Sequence, residues 1–76
     1  MAENVQITVP KEQAIVLFEF LSRFGDTRGL AIEHQSEERV LWDLQAQLER
    51  LLLEPLDPAY PEIVRQAREA VRDPRT

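Results

Sequence analysis

His34 is the only histidine in the chain, and acidic side chains crowd around it, with Glu33 beside it and Glu37 and Glu38 three and four positions on. An imidazole with carboxylates at helical spacing is raw material for a metal site or an acid–base pair. The pattern falls short of both. One imidazole among clustered surface glutamates makes a poor closed shell, and the spacing matches no recognised metal motif. The chain has no cysteine, which removes thiolate ligands, disulfides and cysteine nucleophiles. Ser22 and Ser36 sit in no recognisable nucleophile elbow. Gly25 and Gly29 lack the strand–loop–helix setting and the Lys-Ser/Thr pair of a phosphate loop. Glycoside chemistry needs two carboxylates facing each other across a cleft, and three short helices leave little room for one. The sequence reads as a non-enzyme with no cofactor and no metal, and His34 as a connector residue that caps a turn or faces solvent.

Two further groups suggest binding. Arg65, Arg68, Arg72 and Arg75 follow a 3-4-3 spacing, one stripe of a helix that could meet phosphates or a carboxylate-rich protein. Glu62 and Glu69 stand at pairing distance along the helix, so part of the stripe reads as a solvated, neutralised face. The second group centres on Trp42, the only tryptophan. In the segment 37–53, Val40, Leu41, Leu44, Leu48, Leu51 and Leu52 form one apolar stripe, while Trp42, Ala46 and Leu53 fall on another side. A surface helix needs one apolar face; a second asks for another neighbour. Either the N-terminal arm and the Leu30–Ile32 segment cover it, or a second protein does. Ile15, Phe18 and Phe20 of the first helix could join that surface.

The elements carrying these residues are punctuated by proline and glycine. Residues 1–9 form an arm whose QITV stretch (6–9) is β-favouring. Thr8 or Val9 is a candidate cap for a first helix over about 10–24, which Gly25 should end in the left-handed position. Its apolar residues Ala14, Val16, Leu17, Phe18, Phe20, Leu21 and Phe24 sweep roughly half the circumference at 100° per residue, and Ile15 widens the face. Residues 25–36 are a connector plugged by Leu30 and Ile32. Ser36 is the expected cap of a second helix over about 37–53, with Glu37 and Glu38 in its first turn. Pro55 stops that helix, and a Pro-rich corner over 54–61 follows. A third helix over about 61–72 should bury Ile63, Val64, Ala67, Ala70 and Val71. The expected fold is one small all-α, three-helix domain spanning 1–76, with a short N-terminal strand or a minor two-stranded element as its only β structure.

The formal net charge is −5, and residues 1–58 hold 11 of the 14 acidic side chains but 5 of the 9 basic ones. An acidic body repels nucleic acid and anionic membranes. The longest apolar run is far short of a membrane span. With no leader-like segment visible, the expected setting is the cytoplasm.

The segments VLFEFLSRF (16–24), EERVLWDLQAQLERLLLEP (37–55) and PAYPEIVRQAREAVR (58–72) together resemble a group of small uncharacterised bacterial proteins over nearly the whole length. The resemblance implies a compact bacterial helical domain and carries no functional residue. The expected role is a non-catalytic protein–protein interaction module working by self-association or on a protein partner, as a small regulator, an immunity- or antitoxin-like neutraliser, or an accessory subunit. The alternative is a nucleic-acid-associated regulator that uses the arginine stripe.

Overall fold

The computed structural model describes residues 3–27 and 30–73; for residues 25–27 it describes the backbone alone. Three α-helices, α1 (Lys11–Thr27), α2 (Gln35–Leu51) and α3 (Tyr60–Val71), make a small all-α domain, with a single 3-10 turn at Glu54–Leu56 between α2 and α3. Among the described residues there is no strand. Residues 3–9 run as an irregular arm, and Leu30 begins a bend rather than a β-segment. A lone two-stranded ribbon gains too little to form within one small chain.

The ends of the helices follow from local chemistry, in three places differently from the sequence expectation. α1 begins with the Pro10 carbonyl accepting from the Ala14 N–H at 3.1 Å, so Pro10, rather than Thr8 or Val9, holds the cap position. Gly25 lies inside α1, which runs on to Thr27. Glycine permits the left-handed turn without imposing it, and its interior cost of about 1 kcal/mol is modest. α2 starts two residues early, capped by His34 instead of Ser36. At the corner, Asp57 Oδ1 accepts from the Ala59 N–H at 2.7 Å, and the Asp57 carbonyl accepts from the Tyr60 N–H at 2.9 Å. That turn feeds α3, with Pro61 in its first turn, where a missing N–H costs no helical bond.

One core joins the helices. Its buried members are Ala14, Ile15, Phe18 and Leu21 from α1, Val64 and Ala67 from α3, Leu48 from α2, and Leu52 at the α2 C-cap. Leu21 is the most enclosed large side chain, 1% exposed. α1 and α2 run antiparallel: Gln45 Nε2 donates to Ser22 Oγ at 3.3 Å near one end, and Lys11 Nζ lies 3.0 Å from Glu54 Oε2 at the other. Tyr60 ties α3 to α1 by donating its hydroxyl to Glu19 Oε1 at 3.1 Å.

The packing corrects several sequence assignments. On α1 the buried strip is centred on Ala14, Phe18 and Leu21 and flanked by Ile15 and Phe24, while Val16 and Leu17 are half-buried and Phe20 is exposed. On α3, Ala70 and Val71 are exposed, because the helix carries them past the side chains that enclose Val64 and Ala67. No helix among the described residues is long and apolar enough to cross a membrane.

Candidate interaction surface

The helix with the least buried surface is α2. Of its 17 residues only Leu48 is buried, with Leu41, Leu44 and Ala46 half-buried. At 100° per residue, Leu41, Leu48 and Leu52 point one way, Val40 and Leu51 fall on one flank of that strip, and Trp42 falls on the other. Both flanks are open: Trp42 is 48% exposed, Val40 63% and Leu51 77%. The six-residue stripe of the sequence is therefore narrower than expected, because Val40 and Leu51 lie outside its covered part. Beyond the helix, Leu53 and Leu56 are also exposed, around the turn that Glu54 ties to Lys11.

The two intrachain covers open to Trp42 lie elsewhere. Leu30, Ala31 and Ile32 line a shallow depression of about 480 Å³ together with Val40 and Leu41, on the flank away from Trp42. The arm stays off the body, with Val5 89% and Ile7 81% exposed. Of the residues grouped with Trp42 by sequence, Leu53 is exposed, Ala46 is half-buried and Phe20 is exposed on α1. Ile15 and Phe18 are core residues, which corrects their assignment to a docking surface. α1's apolar arc is wide enough to serve two neighbours, and the part of it holding Phe18, with Ile15 at its edge, is packed into the core.

The arginine stripe is largely engaged with its own helix. Arg65 forms a two-pronged contact with Glu62, donating from Nε at 3.0 Å and from the neighbouring guanidinium nitrogen to the second oxygen. The guanidinium holds the Glu62 carboxyl below its ordinary range, and the carboxylate raises the Arg65 guanidinium in turn. Arg72 lies 3.5 Å from Glu69. Arg68 stands apart from these pairs and lines a small depression with Glu19, Tyr60 and Val64. Arg75 lies outside the described residues. Burial and the bond to Glu19 push the Tyr60 phenol up to about 12, with Arg68 opposing.

His34 has a definite local task. Its Nδ1 accepts from the Ser36 N–H at 3.1 Å and lies 2.8 Å from Ser36 Oγ. An amide can only donate, so Nδ1 is the acceptor in this cap. Glu37 Oε1 accepts from the Glu33 N–H at 2.9 Å, reaching back over the first turn to the residue before the cap, one beyond the partner of a capping-box glutamate. The acid-and-imidazole cluster that opened the sequence reading is thus the start of α2. Sequence reasoning missed the Glu19–Tyr60 bond, and it gave His34 a turn-capping role but placed the cap of α2 at Ser36. The bond joins residues 41 apart with no local signal, and the cap uses a residue type outside the usual capping set.

Comparison with family models, characterised proteins and solved structures finds no match. The surface chemistry of the chain is therefore the whole basis for a functional reading.

Proposed function

We propose that this chain is a non-catalytic protein-binding module of the cytoplasm, and that α2 presents its docking surface through Trp42. The supporting observation is Trp42 itself, a large rigid side chain left half-open on a helix that buries only Leu48. Tryptophan is enriched at interface hot spots because it buries much area at little conformational cost. The acidic body, at −5, favours a basic partner through charge complementarity. A regulator, a neutraliser of a basic protein and an accessory subunit all share this chemistry. The nucleic-acid reading has less support, since Arg65 and Arg72 face glutamates of their own helix.

The test is a paired measurement on Trp42→Ala. Capture of a binding protein from native cells, quantified against the parent chain, should fall at least about tenfold, the loss of a hot spot. The folding free energy should fall by only about 1 kcal/mol, because half the side chain already faces water. Undiminished capture combined with a stability loss of about 3 kcal/mol or more would make Trp42 a core residue and reject the assignment.

A further inference from the structure

The arm before α1 has a pattern that the three-helix body does not use. Val5, Ile7 and Val9 alternate with Gln6 and Thr8, the period of a strand with one apolar face. Val5 and Ile7 are almost fully exposed, Val9 less so, and among the described residues none of the backbone hydrogen bonds outside the helices involves residues 3–9. A segment outside the helices whose N–H and C=O groups enter no helix or sheet, once extended, is a template for pairing with another strand.

The order of residues selects the partner. Folded back antiparallel on a second arm and centred on Ile7, the pattern matches itself: Ile7 faces Ile7, Val5 faces Val9, and Gln6 faces Thr8. The same register brings Glu3 towards Lys11 of the second copy, where it would add a second carboxylate to the Lys11–Glu54 pair. Residues 3–9 carry a single charged side chain, Glu3, so the arms can approach although each chain is acidic overall. Pro10 follows the last paired residue, where a missing N–H interrupts no ladder. Two-fold symmetry then satisfies both arms with one self-complementary contact.

We propose that the chain forms a symmetric dimer through an antiparallel ribbon of residues 5–9 from two copies. A two-stranded ribbon needs its apolar face covered. The Lys11–Glu54 ion pair holds the root of the arm beside the turn carrying Leu53 and Leu56, both open. Val5, Ile7 and Val9 with these leucines expose roughly several hundred Å² on each copy, approaching the about 800 Å² per partner of a standard-size interface. The paired residues 5–9 include none of the Trp42 group, and Leu53 is common to both surfaces only as cover, so variants at Ile7 and at Trp42 test the two proposals separately.

The chain has no cysteine, so single-cysteine variants report the register cleanly. Directly opposed residues in an antiparallel pair stand about 4.5–5.5 Å apart at Cα, within disulfide reach, whereas diagonal neighbours lie at about 7–8 Å. Under mild oxidation Ile7→Cys should form a covalent dimer about tenfold faster than Gln6→Cys or Thr8→Cys alone, and a mixture of the last two should cross-link as readily as Ile7→Cys. Sedimentation equilibrium should show the parent chain as a dimer and Ile7→Asp as a monomer with unchanged helical circular dichroism. A parent chain that stays monomeric at high concentration, a dimer that survives Ile7→Asp, or cross-linking that does not discriminate positions 6, 7 and 8 would each overturn the ribbon.

Discussion

α3 and α2 both pack on α1, but they use their length differently. α3 has 12 residues, buries Val64 and Ala67, and adds the Tyr60–Glu19 bond. α2 has 17 residues, buries Leu48 alone, and leaves Val40, Trp42 and Leu51 open on its two flanks. A chain of 76 residues with no disulfide and no surplus core has little apolar surface to leave uncovered. The contrast separates a seam that holds the fold together from a helix whose sides are available to another molecule.

The contrast breaks first at Leu21. As the most enclosed large side chain of the seam, it should cost about 3 kcal/mol or more on Leu21→Ala, read from urea unfolding. That is a large share of the stability a domain of this size carries. A loss below about 1 kcal/mol would mean that the seam is not the load of the fold.

Tyr60 sharpens the same seam through pH. It is the only tyrosine, so absorbance reports its phenol alone, and the folded protein should ionise near 12. The folded value is raised above the ordinary 10, so the contribution of the neutral phenol is complete below pH 10 and is lost as pH climbs through 12. Glu19→Gln should bring the titration back towards 10. An unshifted titration in the parent chain would mean that the hydroxyl is open to water rather than bound across the α1–α3 seam.

The smallest effect belongs on the outer flank. Leu51→Ser, at a side chain 77% exposed, should change the unfolding free energy by no more than about 0.5 kcal/mol. A loss approaching that of Leu21→Ala would place Leu51 inside a packed interface of the isolated chain and erase the distinction between the two regions.

The three helices were legible in the sequence because each carries an apolar arc with a 3.6-residue period and because prolines punctuate the chain, whereas Gly25 did not end α1. The direction of burial was less legible. A helical wheel gives the angular width of an apolar face but not which part of it a neighbour covers. Ile15 and Phe18 therefore read equally well as docking residues until the positions of α2 and α3 placed them in the core. Val40 and Leu51 read as part of one leucine stripe, yet α1 reaches only its centre. Arg65 and Arg72 were legible as pairing partners of Glu62 and Glu69 because those contacts are local to one helix. The alternation in the arm was visible in part, while its exposure depends on a body that offers it no strand.

The account turns on whether Trp42 is open in the isolated chain, and its fluorescence answers that directly because no other tryptophan contributes. Acrylamide should quench the folded protein readily at low concentration, with emission towards the red, as a side chain 48% exposed requires; a basic partner protein should shield it and shift the emission to the blue. Emission already blue and protected from acrylamide in the isolated folded chain would show Trp42 covered by its own fold and would contradict the assignment of α2 as the docking surface.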